Sequence, residues 1–112
     1  IRAVGTNALA TGAMLRAGAD ECATGDNAVI FNAKWAHVLM GPIGVLTPNG
    51  LLGEVSAAMA GAIGGSEAVK ILLPSQRCSI RLAVGEPRPL QAYLDEAVNL
   101  LDKELRRLED EA

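Results

Sequence analysis

The run from His37 to Pro74 constrains the fold more than any other part of the chain. It reads strand, glycine-containing turn, helix, strand. Val38, Leu39 and Met40 form an apolar run that stops at Gly41-Pro42, and Val69 to Leu73 form a second that stops at Pro74. Between them Leu51, Leu52, Val55, Ala58, Met59, Ala62 and Ile63 recur at steps of one, three and four, which predicts one helix face. Thr47 or Asn49 is the expected N-cap, since a side-chain oxygen there accepts a free N–H of the first turn. Gly64-Gly65 is the expected stop. Two apolar strands joined by a helix imply parallel pairing through a right-handed crossover. Ligands of such units sit at the C-terminal ends of the strands, so Gly41 to Glu54 is the expected working edge.

The rest of the chain extends the same alternation. Ile1 to Val4 reads as a strand and Gly5-Thr6-Asn7 as a turn. Thr6 or Asn7 caps a helix through Ala8, Leu9, Ala13, Met14 and Leu15, which Gly18 ends. Asp20 to Asn27 reads as loop, with Asn27 capping a short helix through Val29, Ile30, Ala33, Lys34 and Trp35. After Pro74, the alternation of Ile80, Leu82 and Val84 with Arg81 and Ala83 predicts a half-exposed edge strand. From Leu90 onward Leu94, Ala97, Val98, Leu101, Leu105 and Leu108 predict a long amphipathic helix that packs on the sheet and frays over Glu109 to Ala112.

At 112 residues the chain is one expected domain, residues 1–112. Half of it is hydrophobic but only three residues are aromatic, so the core must be aliphatic and alanine-rich. A net charge of −3 argues against a nucleic-acid binder, which needs a basic face to displace counterions. It does not exclude one nucleotide held by backbone amides. No apolar run approaches the roughly 18–20 residues that span a bilayer. Cys22 and Cys78 stand far apart, outside any CxxC pattern, as expected of free thiols in a cytoplasmic protein. One His and two scattered Cys give no zinc site.

The polar, glycine-containing turns after the strands are the chemistry-bearing features. Gly41-Pro42-Ile43-Gly44, followed by Asn49 to Glu54 at the expected helix start, suits a small anion, because glycine lets backbone N–H groups approach closely. The pattern is neither GxGxxG nor a P-loop. Thr6 and Asn7 lie at the end of the first strand, and Arg77, just past the second apolar strand, is the cation best placed to pair with an anionic ligand. Thr6, Asn7, Gly41, Gly44, Asn49, Glu54 and Arg77 are therefore the expected ligand-binding residues. Each also has a plain structural reading, as cap, tight turn, helix-dipole partner or surface ion pair. Thr24, Gly25, Asp26 and Asn27 form a second polar cluster, a solvated turn or a lid. An enzyme on the same edge would draw on Glu54, Asp26 or Cys78. Cys78 lacks a base there, because the only histidine, His37, falls at the opposite end of its strand. The third reading is a structural or oligomerisation module without a small ligand, supported by the leucine-striped last helix. The sequence leaves any cofactor unidentified.

The runs GTNALATGAMLRAGADECATGDNAVIFNAK, GPIGVL, GEVSAAMAGAI and KILLPSQRC resemble, in content and order, a family of short bacterial proteins known only as a domain of unknown function. The resemblance implies a three-layer Rossmann-like α/β sandwich with a mostly parallel sheet. It also implies a further strand and glycine-rich loop ahead of the segment that begins at Ile1, so this chain is expected to lack its N-terminal part. It implies no assigned reaction and no catalytic residues.

Overall fold

In the computed structural model, which describes residues 1–75 and 78–112, Arg2–Gly5 forms β1. Gly5 and Asn7 then turn the chain into α1, Ala8–Arg16. Gly18, at φ +115°, leads it back toward β2, Glu21–Thr24. α2 follows at Asp26–Trp35, β3 at Val38–Pro42 and a 3-10 turn at Ile43–Leu46. An irregular loop leads to α3, Ala57–Gly64, then β4, Val69–Leu73, and finally α4, Leu90–Glu111. The described residues thus form a mixed α/β structure with four α-helices.

Both strand pairs are parallel, as two apolar runs with a helical crossover demand. β1 pairs with β2 in the register Arg2 to Glu21 through Gly5 to Thr24. β3 pairs with β4 in the register Val38 to Val69 through Pro42 to Leu73. The expected single sheet is not formed: among the described residues there are two separate two-stranded sheets, β1–β2 and β3–β4.

Helix α2 links the halves. It lies against β1, β2 and α3, and Arg2 fixes it to β1. The Arg2 guanidinium donates to Asn32 Oδ1 at 2.9 Å and stands 3.8 Å from the centroid of the Trp35 ring. Its cationic head thereby gains a hydrogen bond and an aromatic face, so a charged residue does not disrupt the strand. On the other side of α2, Val55, Met59 and Ala60 form the core cluster, with Val29 packed against it. α4 runs along β4 and buries Ala97.

Five expectations need correction. Asp20 to Asn27 is not a loop throughout, because Glu21–Thr24 gains a ladder with β1 that its acidic, alanine-containing sequence does not advertise. Asn27 is not the cap of α2: Gly25 occupies that position at φ +103° and Asp26 opens the first turn. The central helix begins at Ala57 with Ser56 as its cap, so Thr47 and Asn49 cap nothing helical. Pro48, Gly50 and Gly53 break the apolar spacing that suggested an earlier start. Residues 80–84 form no described strand, since alternation without a neighbouring ladder leaves backbone groups for water. α4 holds its helical bonds to Glu111, aided by Arg107, which donates to Glu104 and Glu111 at 2.8 Å each.

Candidate functional site

Parallel strands end on the same side, and the polar residues after β1 and β2 gather there. Gly5 is forced to be glycine by packing: a Cβ would stand 2.2 Å from Thr11 Oγ1 and 2.7 Å from Thr11 N. This close approach seats the first turn of α1 on the end of β1. The Thr11 hydroxyl lies 2.8 Å from Thr24 Oγ1 and 3.0 Å from the Asn7 carbonyl oxygen. The Gly25 amide donates to Gly5 O at 3.0 Å. The ends of β1 and β2 are thus cross-tied, with Thr24 and Gly25 of the second polar cluster beside the first. Thr11 and Gly5 escaped the sequence reading. The threonine sits inside a helix where no spacing singles it out, and the glycine looks like any turn residue.

Thr6 and Asn7 converge on one acceptor. Asn7 Oδ1 accepts from the Ala10 amide at 2.8 Å, the expected cap, while its Nδ2 donates to Glu54 Oε2 at 3.0 Å. The Thr6 hydroxyl donates to the same Glu54 oxygen. The Thr6 and Asn7 hydrogen bonds, in that order of weight, hold the Glu54 carboxyl below its ordinary pKa. Three of the seven sequence-derived candidates are therefore in direct contact. The N-terminal turns of α1 add the positive end of a helix dipole, so the spot favours negative charge.

The other candidates are arranged differently. Gly41 belongs to β3, opposite Leu72, and a Cβ there would meet Val45 Cγ1 only at 3.9 Å. Gly44 lies buried in the 3-10 turn beneath Leu51, whose Cδ2 would be 3.4 Å from an added Cβ. Neither glycine has a positive φ, so the backbone does not require glycine at either position. The glycines that this connection does require are Gly50, whose Cβ would stand 2.4 Å from Gly44 O, and Gly53, whose φ of +90° strains any residue with a Cβ. Asn49 stands at the base of the loop that carries Glu54: its amide donates to Val55 O at 2.7 Å, and the Val55 amide donates back to Gly50 O at 3.1 Å. Arg77 lies outside the described residues.

That loop is a left-handed turn. Asn49, Leu51 and Leu52 have φ of 63°, 53° and 57°, and Gly53 has 90°. Bonds from Gly53 N to Asn49 O at 3.1 Å and from Glu54 N to Leu51 O at 3.2 Å close it. Left-handed helical geometry costs an L-residue with a Cβ about 1–2 kcal/mol, and Leu52 takes it while fully exposed. The loop is anchored on its far side by Val55, which is 0% exposed and part of the core. Glu54, one residue ahead of that anchor, is presented to Thr6 and Asn7 from a strained segment.

Two grooves lie elsewhere. One of about 530 Å³ is at the N-terminal ends of β3 and β4, lined by Lys34, His37, Glu67 and Arg107 among others. Arg107 is committed to Glu104 and Glu111, and Glu67 and Glu111 add negative charge to the same lining as Lys34. The other, about 430 Å³, runs between β4 and α4 beside Ile43 and Leu82. His37 and Cys78 belong to different regions, as expected: His37 precedes β3, and Cys78 Sγ donates to Ser75 O at 3.3 Å. Among the described residues no three His, Cys, Asp or Glu side chains gather to hold a metal ion, and no helix is long and apolar enough to cross a membrane.

A family model described as "Domain of unknown function (DUF3842)" matches residues 1–106. No curated protein and no solved structure matches the chain. The match to a domain of unknown function thus covers nearly the whole chain.

Proposed function

The chain belongs to the DUF3842 family, a domain of unknown function, and from the geometry of its own residues we propose that it binds a small anionic ligand at the C-terminal edge of its strands. The ligand class is a nucleotide or a phosphorylated metabolite. One observation carries this reading: Thr6 and Asn7 already aim two donors at a single carboxylate oxygen of Glu54. Donors that hold one oxyanion at the N-terminus of a helix suit another on a mobile ligand. Gly41 and Asn49 line the approach from the second sheet in this proposal, and Arg77 supplies a countercharge.

The reading extends to the fold. We propose that the two sheets are halves of one Rossmann-like parallel sheet, completed by a strand lying between β1 and β3. Two-stranded parallel sheets are rarely self-sufficient, and β3, entirely apolar in sequence, has no buried residue. Glu54, on the chain that follows β3, reaches the end of β1, and α2 contacts both β1 and α3.

A thermal-shift screen against nucleotides, dinucleotides and phosphorylated metabolites tests the site. A ligand at 100 times its Kd adds about 2.7 kcal/mol of stability. Asn7→Ser keeps an oxygen for the cap and removes the amide donor; Thr6→Val removes the hydroxyl. The expected result is a Tm rise with one ligand class that the Thr6→Val/Asn7→Ser protein, still folded, loses. No shift with any of these ligands, or an undiminished shift in the double variant, overturns the proposal.

A further inference from the structure

We propose that the outer flank of α4 is the surface through which two copies of this chain pair, helix against antiparallel helix; the pairing is independent of the ligand site. Leu94, Val98, Leu101, Leu105 and Leu108 recur at steps of four, three, four and three, the spacing of a coiled-coil seam. Within one chain this seam is only partly covered. Val98 is 61% exposed, Leu94 and Leu105 are exposed beside it, and Leu101 and Leu108 are half-buried. The helix packs on β4 by the neighbouring face, where Ala97 is buried and Leu100 and Glu104 border the groove along β4. One apolar stripe is enough to seat a helix on a sheet. A second stripe turned to water is unfavourable until another surface covers it.

Charge and area select a second copy as that surface. Along the solvent border of the seam the acids Asp95 and Asp102 come first and Arg106 follows. A two-fold axis at the middle of the seam sets Leu94 of one copy opposite Leu105 of the other, and Val98 opposite Leu101. The same register brings Asp95 to within two residues, about 3 Å of axial rise, of Arg106 of the other copy. Asp102 and Glu109 then fall opposite the uncharged Asn99 and Gln91. A parallel pair would instead set Asp95 beside Asp95 and Arg106 beside Arg106, where like charges repel. Within one chain Arg106 meets Asp102 at 3.0 Å while 75% exposed, and an exposed pair of this kind is weak enough to regroup. The area also suffices. The chain exposes 7719 Å², about 1,900 Å² more than a compact monomer of its mass, and a standard interface takes ~800 Å² from each partner.

Sedimentation equilibrium of the full chain and three variants tests the pairing. Wild type should show a mass that rises with concentration from 11.6 kDa toward twice that value. Val98→Glu, at a position exposed in the single chain, should keep the circular dichroism and Tm of the dilute protein and raise the dissociation constant at least about tenfold. Arg106→Glu should weaken pairing roughly threefold to tenfold, and Asp95→Arg/Arg106→Glu should recover it. The double variant still lacks the ion pair with Asp102, so recovery reports the contact between copies and not the stability of the helix. Both charge variants alter exposed positions and decide the matter by themselves if Val98→Glu does not fold. A strict monomer at millimolar concentration refutes the second copy and leaves the stripe to a helix of another protein. Association that Val98→Glu leaves undiminished overturns the α4 interface, and a charge swap that recovers nothing overturns the antiparallel arrangement.

Discussion

Single residues set the geometry of the strand ends. Gly5→Ala forces a Cβ into Thr11, side chain and backbone alike, and overpacking of that kind costs about 1–3 kcal/mol. The expected outcome is a Tm lower by roughly 5–15 °C, whereas Gly41→Ala, with only van der Waals contact at its Cβ, leaves Tm nearly unchanged. Differential scanning calorimetry of the two variants separates them. Leu52→Asn has the opposite sign: it gives up no burial and removes up to about 1 kcal/mol of left-handed strain, so Tm should rise by several degrees. Glu54 makes stability depend on pH. Its folded pKa lies below the ordinary 4.5 because Thr6 and then Asn7 bind the charged form. Its contribution is therefore complete above about pH 4.5 and is lost as pH falls through the lower folded value. The stability difference between wild type and Glu54→Gln should be constant at neutral pH and shrink below that point; a difference that persists undiminished at pH 2 would remove Glu54 from the explanation. Thr6 and Asn7 were legible as a turn and cap from their place after an apolar strand. Their meeting with Glu54, 47 residues on from Asn7, was not, because a contact between separate sheets leaves no spacing signal.

At the level of elements, packing rather than propensity decides what forms. α3 is short and rich in glycine and alanine, yet it buries Met59, Ala60 and Ile63 against α2 and the loop before it. Met59→Ala should cost about 2–5 kcal/mol, enough to threaten folding of a domain this size. Ser56→Ala, which removes the oxygen that accepts from the Met59 amide at 3.1 Å, should cost about 1 kcal/mol. Urea titrations measure both, and equal effects would show that the cap and the core side chain had been misweighed. The elements read correctly from sequence (β1, α1, α2, β3, β4 and α4) announce themselves by apolar runs or by helical spacing with clear stops. Those misread were settled by neighbours. β2 exists because β1 offers it a ladder. Residues 80–84 have the alternation of a strand and no described ladder to join. The start of α3 was masked because Leu51 and Leu52 mimic the apolar face of a helix, while in the structure both project from a turn of the opposite hand.

The molecule as a whole carries more surface than its mass warrants. It exposes 7719 Å², where a compact monomer of 11.6 kDa exposes about 5,800 Å². The surplus exceeds the ~800 Å² that one partner contributes to a standard interface. Part of it is the outer flank of α4, where Leu94, Val98 and Leu105 are exposed beside the face that buries Ala97. The expected solution behaviour is self-association: sedimentation equilibrium should show an average mass that rises with concentration, and a strict monomer at millimolar concentration would count against it. The class of fold, parallel strands alternating with helices, was legible in the sequence. The separation of the strands into two sheets was not, because sequence patterns report which segments are strands and say little about which of them touch. That separation has a practical consequence. Val38, Leu39 and Met40 form an uncharged, extended stretch that, among the described strands, pairs only with β4, and an unpaired apolar edge is a template for cross-β growth. Only Pro42, which has no N–H to donate, interrupts the run. The shelf life of the purified chain should therefore be limited by fibrillar aggregation seeded at this strand, and a single lysine in place of Met40 should lengthen it.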